Sequence, residues 1–267
     1  MKRLRTGTIL GPLVLAAALW SGCDSQQPVS SSPPQSSGSS AVEEKQFTPA
    51  SAAVWPAPLE KGKEVSLEKN LLTKNYYVIL DGSGSMADKG CSGSASKHEA
   101  AKRILTTDFI KLIPADANLG LLIFDRDGLS ERVPLGTGPD NREAFKRAVQ
   151  NSQASGGTPL HNAVAMGYNK LEEQGRKQLG YGEYHLVAVT DGEANIGQDP
   201  TKAVNFIVTS SPVIVETVGF CIGKGHTLNQ PGRTTYRAAD DDQSLRRGLT
   251  EVLAESPSFD QKTFQNQ

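Results

Sequence analysis

The sequence predicts an α/β fold, a doubly wound and mostly parallel central sheet flanked by helices. Two observations carry the prediction. From about residue 74, short apolar runs alternate with amphipathic stretches of helical period, as strands joined by crossover helices do. Several runs are also apolar at every position, which marks strands covered on both faces.

The elements follow in order. Tyr76 to Leu80 reads as the first strand. Lys97 to Ile113 reads as a helix, with Ala101, Leu105, Phe109 and Leu112 on one side and Lys102, Arg103 and Lys111 on the other. Leu119 to Phe124 is a second buried strand, and Glu131 to Leu135 a short strand at the edge. Arg142 to Val149 is a short helix. Pro159 to Gln174 is a longer one, with Thr158 as its N-cap and Pro159 at its first position. His185 to Thr190 is a strand, Pro200 to Val208 a helix and Val213 to Ile222 a strand. Thr234 to Ala238 is a last strand, and Gln243 to Ala254 the closing helix.

The N-terminus reads as an address. Lys2, Arg3 and Arg5 precede an apolar stretch from Ile9 to Trp20 that is too short for a comfortable membrane span. Ser21-Gly22-Cys23 follows, and small residues before a cysteine resemble a bacterial lipobox, although Trp20 stands where an aliphatic residue is usual. The expected organisation is a lipoprotein signal peptide over 1–22 and a tether over 23–73 that begins at a lipidated Cys23. The folded domain would span 74–255, followed by a disordered tail over 256–267. Ordinary secretion with Cys23 as an incidental thiol is the alternative. Gln26 to Ser40 is almost wholly Ser, Pro, Gln and Gly and buries too little apolar surface to offset its ordering entropy, so the tether is expected to be disordered, with Trp55 packed on the domain. Asp24 after the cysteine resembles the enterobacterial signal for retention on the inner membrane. The expected location is thus the periplasmic face of that membrane, with the outer membrane as the alternative.

Composition excludes other classes. Formal net charge is −1, and the segment to be removed carries three cations and no acid. A mildly acidic domain without a basic block gives no electrostatic case for nucleic acid. Three cysteines, four histidines and no C-x-x-C argue against a zinc cluster.

Oxygen donors gather at strand ends. Asp81-Gly82-Ser83-Gly84-Ser85 follows the first strand, Ser155-Gly156-Gly157-Thr158 opens a helix, and Asp191-Gly192 ends the strand from His185. In a doubly wound sheet, ligands sit outside the carboxyl ends of the strands where strand order reverses, so these segments are expected to form one site. A carboxylate with hydroxyls suits a hard divalent cation. Each segment alone also reads as a plain turn or cap.

Together, in this order, Asp81-x-Ser83-x-Ser85, Thr158 after the Gly-Gly pair and Thr190-Asp191-Gly192 resemble the von Willebrand factor A domain, over about Lys74 to Glu255. The resemblance implies sheet order 3-2-1-4-5-6, parallel except for the third strand. It also implies a metal-ion-dependent adhesion site at Asp81, Ser83, Ser85, Thr158 and Asp191. The metal would be magnesium or manganese, with calcium as an alternative. Ser83 and Ser85 would bind directly, Asp81 and Asp191 through water or as hydrogen-bond acceptors, and Thr158 in either way.

Cys91 and Cys221 are both expected at the carboxyl-end rim, and export would place them in an oxidising compartment, so a Cys91–Cys221 disulfide is expected. Other leads are weaker. Ser94-Ala95-Ser96-Lys97 fits S-x-x-K of penicillin-binding enzymes, but the S-D-N and K-T-G partners are missing. His98, His161, His185 and His226 form no spaced ligand set, and His161 is the one expected near the metal. Asp125 is expected to line the ligand surface, and Asp240-Asp241-Asp242 to be a turn capping the last helix. The functional expectation is a lipid-anchored module of the bacterial cell envelope, not an enzyme. It would use its metal to capture an acidic residue of a partner protein. A metal-assisted hydrolase, or a structural envelope protein with an idle site, is the alternative.

Overall fold

The computed structural model describes residues 54–59, 61–91 and 93–254. They lie within a compact unit that starts at Pro49. The signal segment, Cys23, Asp24 and the tail from 256 fall outside the described residues.

Six strands form one sheet in the order β3-β2-β1-β4-β5-β6. They are β1 (Lys74–Asp81), β2 (Asn118–Asp125), β3 (Gly128–Gly136), β4 (Glu183–Thr190), β5 (Ile214–Phe220) and β6 (Thr235–Ala239). All neighbours pair in parallel except β2 with β3. The predicted fold and strand order are therefore the observed ones. The helices are α1 (Lys97–Ile104), α2 (Ile110–Leu112), α3 (Gly138–Asn151), α4 (Leu160–Lys177), α5 (Thr201–Ser210) and α6 (Asp242–Ala254).

Alternation along β1 divides the core. Tyr76, Val78 and Leu80 pack with residues of α1, α3 and α6, while Tyr77 and Ile79 pack with residues of α4 and α5. Because β1 pairs with β2 on one side and β4 on the other, the chain reverses direction across the sheet between β1 and β4. Asp81 ends β1 and Asp191 follows β4, so both carboxylates lie at this switch point.

Four expectations are corrected. The helix expected from Lys97 to Ile113 is interrupted by a π-helical turn over Leu105–Phe109. There Thr106 and Thr107 donate their hydroxyls to the carbonyls of Lys102 and Arg103, both at 2.8 Å, a local competition with the helical ladder that period alone does not reveal. α4 begins at Leu160 with Pro159 as N-cap, and no side chain caps it. The strand expected to reach Ile222 stops at Phe220, because Cys221 takes a left-handed conformation at φ 66°. Finally, residues 54–59 and 61–73, expected as the end of the tether, run along the domain. Arg176 Nε donates to the carbonyl of Ala57 at 2.9 Å, and the amide of Glu68 donates to that of Lys177 at 2.9 Å. Trp55 packs edge-on against Tyr184, ring centroids 4.6 Å apart, as expected.

A charged group inside the sheet makes stability depend on pH. His185 is 1% exposed and stacks on Tyr76. Its Nδ1 lies 3.0 Å from Glu216 Oε2 and its Nε2 2.6 Å from Glu183 Oε1. Burial alone would lower its pKa, but the two carboxylates outweigh burial and raise it to about 8. A pKa raised from 6.5 in the unfolded chain stabilises the fold fully below pH 6.5, and this is lost as pH rises through about 8. Stability in urea is expected to fall by about 2 kcal/mol across that window, and His185→Gln should flatten the slope. An equal slope in wild type and variant would contradict this assignment.

Candidate metal centre

Three backbone loops are tied together at the switch point. The amide of Gly82 donates to the carbonyl of Phe124 at 2.8 Å, that of Ser155 to Gly82 at 2.7 Å, and that of Gly84 to Gly156 at 3.0 Å. Gly82 permits the contact: a Cβ there would lie 2.8 Å from Asp125 Cβ. A 3₁₀ turn over Gly84–Ala87 then carries Ser85 back toward β4.

Within this frame the oxygen donors converge. Asp81 is fully buried; its Oδ1 accepts from the amide of Ser83 at 2.7 Å and its Oδ2 from the Thr190 hydroxyl at 2.5 Å. Ser83 Oγ and Ser85 Oγ lie 3.1 Å apart. Ser85 Oγ donates to Asp191 Oδ1 at 2.7 Å. Thr158 joins them from the third loop. Its amide donates to Asn195 Oδ1 at 3.0 Å, and its carbonyl accepts from the Asn195 amide at 3.0 Å. Gly192 marks the space the three hydroxyls share. A Cβ placed there would lie 3.3 Å from Ser85 Oγ, 3.6 Å from Thr158 Oγ1 and 3.9 Å from Ser83 Oγ. The structure thus brings together all five residues expected from the sequence. Thr158 has the position foreseen for it but does no capping, so its hydroxyl is left for this cradle.

The charges are unequal in their partners. Asp191 is paired: Lys97 Nζ lies 2.6 Å from its Oδ2, and both side chains are buried. Asp81 has hydrogen bonds but no cationic partner among the described residues. Burial pushes its carboxyl up to about 6 against those hydrogen bonds, and the charge of Asp191 adds to the rise. A buried carboxylate without a counter-cation is costly. Hydroxyls around a shared space above such a group fit a hard divalent cation, which takes oxygen ligands and retains waters. Among the described residues no group of three His, Cys, Asp or Glu could hold a metal, so a cation here would rest on hydroxyls.

Other expectations resolve differently. His226, not His161, reaches the site, with its Nε2 2.9 Å from the Gly192 carbonyl. His161 instead lies 3.3 Å from the carbonyl of Asp199 and lines a cleft with Tyr168 and Phe206. No spacing signal marks His226, because a loop after β5 delivers it. Asp125 does not line an open surface. It is 7% exposed, and its carboxylate accepts from Arg132 at 2.8 Å and from the Asp127 amide at 3.0 Å. The acidic run does cap α6, with the amide of Ser244 donating to Asp241 Oδ1 at 2.7 Å. Cys91 and Cys221 form the expected disulfide, Cα atoms 6.1 Å apart. Ser96 of the S-x-x-K match is the N-cap of α1, accepting from the Glu99 amide. Lys97, which sequence reasoning set aside with that match, is the residue it missed.

Among solved structures, the chain resembles the conserved hypothetical protein BatB of Bacteroides thetaiotaomicron, with TM-score 0.54 and 15% identity, over 68% of this chain and 98% of that one. It also resembles an aerotolerance-related membrane protein of Bacteroides fragilis, with TM-score 0.52 and 15% identity, over 68% and 99%. The pilus adhesin SpaC of Lactobacillus rhamnosus GG gives TM-score 0.55 and 13% identity, over 71% of this chain and 31% of that one. At these identities the likeness is one of fold. No curated protein matches the sequence. Residues 76–193 match the model of the von Willebrand factor type A domain, a span that runs from β1 through Asp191 and contains all five converging residues. Over these residues the chain is similar to the von Willebrand factor type A domain.

Proposed function

We propose that the domain is a divalent-metal-dependent protein-binding module, anchored by lipid at Cys23 on a bacterial cell envelope, which does no chemistry of its own. The observation that carries this is the cradle of Ser83, Ser85 and Thr158 hydroxyls beside a buried Asp81 that has no cationic partner among the described residues. Ser83, Ser85 and Thr158 would hold magnesium or manganese, and Asp81 and Asp191 would orient the hydroxyls and supply negative charge. The bound metal would supply an electropositive centre that accepts a carboxylate from a partner. A pilus adhesin and a membrane protein among the structural relatives support the envelope setting. Among the described residues no helix is long and apolar enough to cross a membrane. Ile196, fully exposed, sits beside the cradle on a turn pinned through Asn195 to Thr158, and would give a partner an apolar contact next to the metal.

The test is titration of wild type and Gly192→Ala with Mn²⁺ by calorimetry. Wild type should bind, and the variant should lose binding because its methyl fills the cradle. Its unfolding midpoint without metal should shift little, since the nearest neighbour of the new methyl is 3.3 Å away and belongs to a serine side chain. No heat of binding in wild type with Mn²⁺ or Mg²⁺ would sink the proposal.

A further inference from the structure

The two buried carboxylates and Lys97 make a site with one unit of net negative charge, because the Lys97 ammonium sits 2.6 Å from Asp191 Oδ2. The contact is built in. Ser96 caps the first turn of α1, and the Lys97 amide donates to the carbonyl of Asp88 at 2.9 Å, which fixes where the side chain starts. Asp191 cannot turn away, since its other oxygen accepts from Ser85. Lys97 is 9% exposed, so solvent screens the pair little.

Resting on the metal-dependent reading above, we propose that Lys97 is a resident counter-cation. It weakens the metal's hold and leaves the loaded site with a net charge of about +1, matched to a single carboxylate of the partner. Without Lys97 the carboxylates would attract the cation more strongly. The loaded site would then be neutral and would draw a carboxylate less. The side chain thus divides the site's electrostatic attraction between metal and partner, and favours a ligand with one isolated acidic group.

The test uses Mn²⁺ as metal and acetate as carboxylate probe. Lys97→Met is expected to tighten Mn²⁺ binding by at least about fivefold and to reduce the enhancement of Mn²⁺ affinity by acetate. Lys97→Arg, which keeps the charge, should remain close to wild type. Lys97→Gln keeps a donor for Asp191 and is measured alongside, so a folding defect in Lys97→Met does not decide the matter. Unchanged or weaker Mn²⁺ binding in both neutral variants, with wild type binding normally, overturns the role of Lys97 and leaves the metal reading intact. Absence of Mn²⁺ binding in wild type and all variants overturns both.

Discussion

Asp81→Asn is expected to weaken Mn²⁺ binding by about 10- to 100-fold and to leave the metal-free protein at least as stable as wild type near neutral pH. Asparagine has the same shape. Its Oδ1 still accepts from the Ser83 amide, now 2.7 Å away, and the Thr190 hydroxyl can reverse its role and accept from the new amide. What disappears is a buried charge with no cationic partner among the described residues, whose ionisation burial already opposes. A residue that served only the fold would behave in the opposite way, with lower stability and unaltered metal titration. Chemical denaturation of the metal-free proteins, paired with Mn²⁺ calorimetry, separates the two. Wild-type affinity in Asp81→Asn would remove this carboxylate from the site.

Loss of the Cys91–Cys221 disulfide is expected to cost about 2–5 kcal/mol of stability. The bond closes a span of 130 residues, so its main effect is to restrict the unfolded chain. It also acts locally. Cys91 lies between the turn over Gly84–Ala87 and the start of α1 at Lys97, and Cys221 follows β5, so the bond ties the loop that precedes Lys97 to the far half of the sheet. Urea unfolding with and without reductant, and of the Cys91→Ser/Cys221→Ser double variant, measures the effect. A difference below about 1 kcal/mol would mean that strain in the native state cancels the gain.

The fold was legible because its signals are short-range. The central strands β1, β2 and β4 announce themselves by apolar runs, and α1 by its helical period. β1 shows both faces buried from Asn75 to Asp81. The five candidate site residues were legible because Asp81, Ser83, Ser85 and Asp191 come at the ends of apolar strands and Thr158 just before a helix. The disulfide was legible because both cysteines fall at that same rim. The misses share another cause. The end of β5 depends on the backbone turn at Cys221, and the N-cap of α4 on hydrogen bonds that Asn195 makes to Thr158 from 37 residues away. The segment from Val54 to Thr73 lacks periodicity, yet Trp55 finds a place against Tyr184.

The sequence by itself determined the fold class, the strand order through its family resemblance, and the set of oxygen donors, since these rest on local patterns and on motif order. Only the tertiary structure decided how the charges are shared. Lys97 reaches Asp191 across 94 residues, His226 reaches Gly192 across 34, and Asp81 has no cationic partner among the described residues. Pairing of buried charges is set by where side chains meet in space, and the energy of each pair depends on distance and exposure, which spacing along the chain does not encode.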